Sequence, residues 1–252
     1  MTNTMWTKLR EGKKVVGCWN TLAAPSVTEA LACAGFDFLF IDFEHGGFDP
    51  ARIGTYAAIC QARGVTPIVR VPANESWMVL QALDQGALGV ICPQLGTAEE
   101  VARFTASCRY APRGNRGFSP FTRAGSFGRS PGHVEASNRE VSTMVIIETP
   151  AAVENFDAIV GDPGLDVIFF GTYDLSQHYG KAGDVHDPRL LALIKDLTRR
   201  GRAAGKKLGG FLAKSPADVA FLRSLDLDLY VYGVDAQLLV DAAAAGVAAF
   251  KE

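Results

Sequence analysis

The sequence places acidic, basic and imidazole side chains directly after apolar runs, a pattern that could hold a cation and move a proton. Residues 36–47 form an apolar run that ends in Asp42, Glu44 and His45, followed by two glycines. Such a run, rich in Phe and Ile and bounded by glycine, predicts a strand buried on both faces. The polar cluster lies where that strand ends, which is where catalytic groups collect in α/β barrels and open sheets.

Two further carboxylates follow apolar runs later in the chain. Glu148 ends one run, and Asp174 follows the next. If those runs are adjacent strands, both anions share one apolar mouth, which requires a cation or a proton between them at neutral pH. Oxygen ligands suit a hard divalent ion such as Mg²⁺ or Mn²⁺. The alternative is that the two acids only cap the helices that follow them.

Arg70, His45 and Lys214 each allow two interpretations. Arg70 ends an otherwise apolar run, so it either binds an anionic ligand in two-point fashion or pairs with Asp42 or Glu44. His45 is either a general base, because histidine titrates near neutrality, or a structural residue. Lys214 is the only lysine after a predicted strand. It precedes a Ser-Pro step typical of an exposed loop, which disfavours a Schiff-base role.

The elements that must position these side chains alternate along the chain. Helix starts are indicated by Asp-Pro, Ser-Pro and Thr-Pro steps, which pair an N-cap residue with proline at the first helical position. The predicted strands lie within residues 14–20, 36–47, 66–71, 88–93, 142–148, 165–171, 207–212 and 228–233. The predicted helices begin near residues 25, 49, 75, 97, 149, 187, 215 and 235, after an amphipathic lead-in at 8–14. Eight strands alternating with eight helices predict an α/β fold, a (β/α)8 TIM barrel, as one domain over residues 1–252.

Residues 110–133 break this alternation. They contain four arginines, five glycines and three prolines. A loop this long inside a compact domain is usually functional or disordered, and its four aromatic residues argue against disorder. We expect it to cover the barrel mouth or to form a subunit contact.

The composition limits the classes of protein to which this chain can belong. A net charge of −2 gives no electrostatic case for binding nucleic acid or an anionic membrane. No apolar run approaches the roughly 20 residues that span a bilayer, and the first residues lack the order of a signal peptide. Five widely spaced cysteines are typical of small core residues in a reducing compartment. We therefore expect a cytoplasmic protein with small-molecule ligands.

Four motifs occur in order along the chain, namely Asp42-x-Glu44-His45, Val69-Arg70-Val71-Pro72, Ile147-Glu148-Thr149 and Gly171-x-x-Asp174-Leu175-Ser176. Together they resemble the HpcH/HpaI aldolases. These are class II, metal-dependent pyruvate aldolases related to 2-keto-3-deoxy sugar-acid aldolases. Segments 109–117 and 231–235 extend the resemblance over nearly the whole chain. The resemblance implies a barrel whose last helix packs on a partner subunit, in hexamers built as trimers of dimers.

The resemblance also implies roles for the candidate residues. Glu148 and Asp174 would hold a divalent metal, either Mg²⁺, Mn²⁺ or Co²⁺. Arg70 would contact the carbonyl or enolate oxygen of a keto acid. His45 would act in proton transfer, with Asp84 in its supporting network and Asp42 nearby.

Substrate binding is implied for a second group of positions. Backbone amides around Tyr173 and Asp174 would hold the substrate carboxylate. Thr172 and Tyr173 replace the proline and the small residue usual in the family's Gly-Pro-x-Asp segment, and Gln94 replaces a common methionine. Residues 118–125 are distinctive, and we expect acceptor specificity there.

The implied reaction is reversible aldol cleavage of a 4-hydroxy-2-oxo acid into pyruvate, or hydroxypyruvate, and an aldehyde. One alternative is a lyase or synthase acting on a CoA thioester, with the basic loop at 113–129 meeting the nucleotide phosphates. The other is a non-catalytic barrel that binds a keto acid or serves as a structural hexamer. The acid pair, Arg70 and His45 disfavour that last option, because a binding-only site has no need of a base.

Overall fold

The computed structural model describes residues 2–251, which form a closed barrel of eight parallel strands in sequential order. All eight predicted strands are confirmed, with ends that shift by a few residues. They are β1 (Val15–Asn20), β2 (Phe38–Asp42), β3 (Thr66–Arg70), β4 (Gly89–Cys92), β5 (Ser142–Ile147), β6 (Val167–Phe170), β7 (Lys207–Ala213) and β8 (Leu229–Val234).

Helices surround the barrel, and the predicted starts are largely confirmed. The side chains of Asp49, Thr97, Thr149 and Asp187 each accept a hydrogen bond from a backbone N–H two or three residues later, and Thr97 forms the capping box with Glu100. Asp49 caps a 3-10 segment, Pro50–Arg52, that leads into α3. The helices are α1 (Thr4–Arg10), α2 (Pro25–Cys33), α3 (Ile53–Ala62), α4 (Ser76–Asp84), α5 (Ala98–Ser107), α6 (His133–Glu140), α7 (Pro150–Glu154), α8 (Phe156–Val160), α9 (Thr172–His178), α10 (Pro188–Ala203), α11 (Asp218–Ser224) and α12 (Asp235–Lys251).

Short helices account for the differences from the prediction. The lead-in placed at 8–14 is instead α1, capped by Asn3, with Met5 and Leu9 fully buried against the barrel's inner residues. The excursion expected after β6 is α9. Each of these helices has seven residues, which is too few turns for a clear hydrophobic period.

The core has two layers, because successive side chains of each strand point alternately into the barrel and out towards the helices. In β2, Phe38 and Phe40 point into the barrel, whereas Leu39 and Ile41 pack against the surrounding helices. Asp42 follows Phe40 by two residues and therefore takes the next inward position, at the end of the strand. The same alternation directs Arg70, two residues after Ile68, and Glu148, two residues after Ile146, into the mouth.

Gly17 provides a direct test of the inner packing. It lies opposite Phe38 in the β1–β2 register, and a Cβ on Gly17 would lie 2.3 Å from the Phe38 ring. Gly17→Ala should therefore lower the free energy of unfolding by about 1–3 kcal/mol, measured by urea denaturation. Gly54→Ala is the control, since its nearest neighbour would be 3.6 Å away. Equal midpoints for wild type and Gly17→Ala would contradict this packing.

The last helix leaves the barrel instead of covering it. Beyond Asp235, α12 is half-buried at first and then exposed to its end, with Leu239 and Val240 each 63% exposed and Phe250 96% exposed. A groove of about 630 Å³ lies at the outer face of β1 and β8, beside Val16 and Tyr230. In a (β/α)8 barrel, a helix normally covers that face.

The expectation that the cysteines are small core residues is borne out in part. All five cysteines are free, and four are buried as predicted, but Cys33 is exposed on α2. No helix among residues 2–251 combines the length and the apolar character required to cross a membrane.

Candidate active site

A cavity of about 340 Å³ opens at the C-terminal ends of the strands. Its volume falls in the range typical of small-molecule sites. It brings together seven of the candidate residues predicted from sequence, together with an apolar wall. The candidate residues are Asp42, His45, Arg70, Glu148, Thr172, Tyr173 and Asp174, and the wall includes Trp19, Ile146, Phe169, Phe211 and Leu212.

Arg70 is the most heavily constrained side chain in this cavity. Its Nε and Nη2 donate to the two carboxylate oxygens of Asp42, at 2.8 and 2.5 Å, and its Nη1 lies 2.9 Å from Oε2 of Glu44. The guanidinium carbon lies 4.3 Å from the centre of the Trp19 ring. Pairing with the two acids is therefore observed. Because arginine has five N–H donors, one on each terminal nitrogen remains for a substrate.

Asp42 organises the turn that carries His45. Its buried Oδ1 accepts hydrogen bonds from the backbone N–H groups of Glu44 and His45, at 3.0 and 3.1 Å. Gly46 completes the turn, because a Cβ there would lie 2.2 Å from the Asp42 carbonyl oxygen. The His45 side chain is 72% exposed, with Nε2 3.8 Å from Oε2 of Glu44. Asp42 thus fixes both Arg70 and the loop that places the imidazole at the rim.

The backbone just after the neighbouring strand β4 holds the Glu148 side chain in place. The backbone N–H of Gln94 donates to Glu148 Oε1 at 2.7 Å, and Gln94 takes a left-handed conformation with φ of 63° to do so. Gly171 leaves room on the other side, since a Cβ there would lie 2.9 Å from Glu148 Oε2. Burial and this hydrogen bond fix the orientation of the carboxylate.

The helix-capping interpretation does not account for the two acids. Thr149, not Glu148, caps α7, and Gly171 occupies the cap position of α9. Asp174 lies in the first turn of α9, and within residues 2–251 its carboxylate accepts no hydrogen bond. Both carboxylates are thus available for a ligand in the cavity.

The site carries excess negative charge. Burial raises the pKa of Glu148 to about 7; the Gln94 N–H and Arg70 oppose this shift, while the charges of Asp174 and Glu44 add to it. Burial also raises the pKa of Glu44, against the effect of Arg70. With Asp42, four carboxylates face one guanidinium. This imbalance favours an additional cation.

The metal-free protein should therefore lose stability as the pH rises. A carboxyl group with a raised folded-state pKa stabilises the fold below its ordinary value of 4.5, and this contribution is lost as the pH rises through about 7. In a chelating buffer, the free energy of unfolding should fall across this window by roughly 3 kcal/mol more than in Glu148→Gln. Urea denaturation at several pH values measures the difference. Parallel pH profiles for the two proteins would contradict it.

The residues present fit a hard divalent ion. Among residues 2–251 there is no group of three or more His, Cys, Asp or Glu side chains suited to a metal. Glu148 and Asp174 form a pair, and Mg²⁺ is commonly bound through one or two carboxylates, with water and substrate completing the shell. The unbalanced charge of the cavity supports the same interpretation.

Two candidate residues lie outside the cavity lining. Asp84 ends α4 and pairs with the buried Arg116 at 2.5 Å, so one chain does not bring it to His45. The Gln94 side chain is exposed, and its contribution to the site is the backbone N–H. The role predicted for Asp84 stays a prediction.

The loop at 110–133 does not cover the mouth of its own chain, contrary to one of our two expectations. None of its residues lines the cavity, and Ala124 N–H donates to the Asp84 carbonyl on α4. Phe118, Phe121 and Phe127 are 57–75% exposed. A subunit contact stays a prediction for this loop.

Some lining residues were missed from sequence. Phe211 and Leu212 both reach the cavity because the β7–β8 register shifts after Gly209, and Phe211 has a φ of 59°. The Gly-Gly pair at 209–210 inside a strand was the available signal, since glycine there often marks a bulge. Trp19 lies near the end of β1, and its ring packs against the Arg70 guanidinium.

Known proteins match this chain over nearly its whole length. A hydroxypyruvate/pyruvate aldolase from Roseovarius nubinhibens is 33% identical over 243 residues, covering 96% of this chain and 94% of that protein. A 5-keto-4-deoxy-D-glucarate aldolase from Salmonella arizonae is 36% identical over 233 residues, covering 90% and 91%.

Solved structures agree with these relatives. A HpcH/HpaI aldolase/citrate lyase family protein from Burkholderia cenocepacia superposes with a TM-score of 0.93 at 29% identity, covering 100% of both chains. The citrate synthase SbnG superposes with a TM-score of 0.88 at 27% identity, covering 99% of this chain and 98% of that one.

The family profile described as HpcH/HpaI aldolase/citrate lyase matches residues 15–242. This match, the aldolase relatives and the barrel with its acidic mouth agree. The chain therefore belongs to the HpcH/HpaI aldolase/citrate lyase family and is a carbon–carbon lyase of the class II aldolase type.

Proposed function

We propose that this chain catalyses the divalent-metal-dependent, reversible cleavage of 4-hydroxy-2-oxo acids into pyruvate, or hydroxypyruvate, and an aldehyde. The observation that carries the proposal is the convergence of Glu148, Asp174, Arg70 and His45 on one cavity. The relatives named as hydroxypyruvate/pyruvate and 5-keto-4-deoxy-D-glucarate aldolases support the same substrate class.

Glu148 and Asp174 would hold the metal, with Mg²⁺, Mn²⁺ and Co²⁺ as candidates. When bound, the metal would supply Lewis-acid polarisation of the 2-oxo group. Gln94 N–H keeps one oxygen of Glu148 occupied, which leaves Oε2 as the free carboxylate oxygen.

Arg70 would stabilise the negative charge that develops on the 2-oxo oxygen. Its remaining N–H donors are preorganised, because Asp42, Glu44 and Trp19 hold the guanidinium on three sides. Donors fixed before the reaction stabilise developing charge without reorganisation. The first backbone N–H groups of α9, around Tyr173 and Asp174, lack partners within the helix and would bind the substrate carboxylate.

His45 would move the proton. In cleavage, the imidazole takes the proton of the C4 hydroxyl, directly or through a water molecule. The O–H electrons form the aldehyde C=O, and the C3–C4 bond breaks toward the oxo acid. The resulting carbanion equivalent at C3 then takes up a proton, which gives pyruvate. The exposed position of His45 at the rim leaves it accessible to the C4 end of a substrate.

A coupled assay of pyruvate release tests this proposal. Wild-type protein with Mg²⁺ or Mn²⁺ is presented with a panel of 4-hydroxy-2-oxo acids, and pyruvate is followed through lactate dehydrogenase. We expect turnover of at least one member without CoA. No pyruvate from any member, with folded and metal-loaded protein, would contradict the proposal.

The similarity to a citrate synthase favours a second candidate, carbon–carbon bond formation with a CoA thioester. The basic loop gives it little support. Arg113, Arg116 and Arg123 donate to Asn138, Asp84 and Gln61 within the chain, so they do not form a cluster directed at phosphates. The same assay separates the candidates, since strict dependence on a thioester would favour the second.

We also propose that α12 packs on the β1–β8 face of a partner subunit, in dimers that assemble into a hexamer. The exposed apolar residues of α12 and the open groove support this exchange. We place the assembly in the cytoplasm, because all five cysteines are free.

Charge on the apolar side of α12 should break this assembly. Leu239→Asp with Val240→Asp should shift the mass in light scattering from hexamer toward monomer, because it places charge in an apolar interface. Asp241→Ala on the same helix is the control. An unchanged mass for the double variant would contradict the exchange.

A further inference from the structure

Asp235 is a buried charge at the point where the barrel passes into its last helix. It is the first residue of α12 and follows β8 directly, with only 4% of its surface exposed. Within residues 2–251 no lysine or arginine nitrogen lies within 4.0 Å of its carboxylate. Burying a carboxylate without a cation is unfavourable unless hydrogen-bond donors surround it. The donors around Asp235 therefore indicate what this carboxylate holds in place.

Five hydrogen bonds surround the Asp235 carboxylate. Its Oδ1 accepts from the Thr21 backbone N–H at 2.9 Å, from the Thr21 hydroxyl at 2.7 Å and from the Ala236 N–H at 2.8 Å. Its Oδ2 accepts from Asn20 Nδ2 at 2.7 Å and from the Leu22 N–H at 2.9 Å. Four of the five donors belong to three consecutive residues at the end of β1. The carboxylate thus joins that strand end to the start of α12.

The segment held by this carboxylate supports the turn that carries His45. The carbonyl oxygen of Thr21 accepts a hydrogen bond from the Gly47 N–H at 3.4 Å. Gly46 packs on the same oxygen, since a Cβ there would lie 3.0 Å from it. Asp42 accepts the N–H of His45 and fixes the start of the turn, while Thr21 contacts its end. The position of the imidazole therefore depends on both supports.

The imidazole has few contacts of its own that could fix it. The His45 side chain is exposed, and its Nε2 lies 3.8 Å from Oε2 of Glu44, which is beyond hydrogen-bond distance. The backbone of the turn therefore sets where the ring stands relative to a substrate hydroxyl. A displacement of about 1 Å in a reacting group can lower a rate by two orders of magnitude. A support behind the turn thus affects the rate as well as the fold.

We propose that Asp235 is a positioning residue for His45, and that it acts through Thr21 on the turn at 42–47. The carboxylate does not line the cavity, so its effect is transmitted by the backbone. This proposal rests on the proposed function and deepens it, because it assigns a residue that sets the place of the proton acceptor.

The test variant is Asp235→Asn, which keeps the shape of the side chain but cannot accept all five hydrogen bonds, because its amide NH₂ must face donors on either side. In the pyruvate-release assay with Mn²⁺, we expect kcat to fall at least about tenfold. KM and the Mn²⁺ affinity should stay within about twofold of wild type, since Glu148 and Asp174 lie on other elements. A kcat within twofold of wild type, or lost Mn²⁺ affinity, would overturn the proposal.

Asp166→Asn is the matched control for lost stability. Asp166 precedes β6 at the opposite end of the barrel, where it accepts a hydrogen bond from the Thr143 backbone N–H at 2.9 Å and pairs with Arg109. Both variants should lower the melting temperature, but only Asp235→Asn should lower kcat. Equal losses of kcat, at a temperature where both variants are folded, would make Asp235 a structural residue.

A double-mutant cycle identifies the group through which Asp235 acts. Single-turnover rates, with enzyme in excess over substrate, are compared for wild type, Asp235→Asn, His45→Gln and the double variant. In the His45→Gln background, adding Asp235→Asn should change the rate by less than about twofold, because the positioned group is already absent. A further tenfold loss in that background would show that Asp235 acts on another part of the site.

A crystal structure of Asp235→Asn measures the position of the turn directly. We expect residues 43–47 to be displaced, while the ends of β3 and β5 superpose on those of wild type. An unmoved turn would contradict the proposal even if kcat falls. Wild-type protein that cleaves no 4-hydroxy-2-oxo acid would instead contradict the proposed function itself.

Discussion

Arg70→Ala should lower kcat/KM for aldol cleavage at least about 10³-fold. The change removes the guanidinium that pairs with Asp42 and Glu44 and lines the cavity beside Glu148 and Asp174, and with it the preorganised donors to the 2-oxo oxygen. Steady-state kinetics on the best member of the substrate panel measure the loss. It should be mainly in kcat, because the donors act on charge that develops in the transition state.

Controls separate this effect from unfolding. Losing the partner of buried Asp42 also destabilises the fold, so a thermal melt accompanies each assay. Arg70→Lys keeps the charge but loses the two-point contact with Asp42, and we expect an intermediate rate. Arg199→Ala, which removes a 73% exposed side chain, should be neutral. A near-normal rate for Arg70→Ala would remove Arg70 from the site.

The second large effect concerns the acid pair. Glu148→Gln should weaken Mn²⁺ binding at least about 100-fold, because it replaces an anionic ligand by a neutral amide of the same shape. Isothermal titration with Mn²⁺ alone measures the affinity. Glu154→Gln, at an exposed position on α7, is the control.

This variant distinguishes a lost ligand from a damaged fold. Because Glu148 is buried with a raised pKa, metal-free Glu148→Gln should be more stable than wild type above pH 7. We therefore expect Glu148→Gln to bind Mn²⁺ more weakly than wild type and, without metal, to be more stable than wild type. Unchanged Mn²⁺ affinity would show that Glu148 is not a ligand.

The barrel was predictable from sequence because each strand is a short apolar run and several helices begin with a side-chain cap or a proline. The inward direction of Asp42, Arg70 and Glu148 also follows from strand periodicity, once the strands are placed. The pairing of side chains was only partly predictable from the sequence. The contact of Arg70 with Asp42 and Glu44 was one of two options, and the structure shows the pairing together with free donors.

Features that depend on backbone irregularity were not predictable. The left-handed conformation of Gln94 directs its N–H at Glu148, and the bulge after Gly209 turns Phe211 and Leu212 into the cavity. The conformation of Gln94 does not follow from residue type, because non-glycine residues rarely adopt positive φ. The Gly-Gly pair at 209–210 signals a bulge, but it does not show which side chains the bulge turns inward. The Lys214 ammonium lies 5.4 Å from the centre of the Tyr173 ring, and this position likewise depends on a loop that Asp218 anchors.

Pyruvate release with and without metal tests the central claim most directly. Wild-type protein is treated with EDTA, assayed on its best 4-hydroxy-2-oxo acid, and then assayed again after Mg²⁺, Mn²⁺ or Co²⁺ is added in excess. We predict that EDTA abolishes cleavage and that at least one of these ions restores it. Full activity in EDTA, with borohydride trapping the substrate on a lysine, would contradict the account.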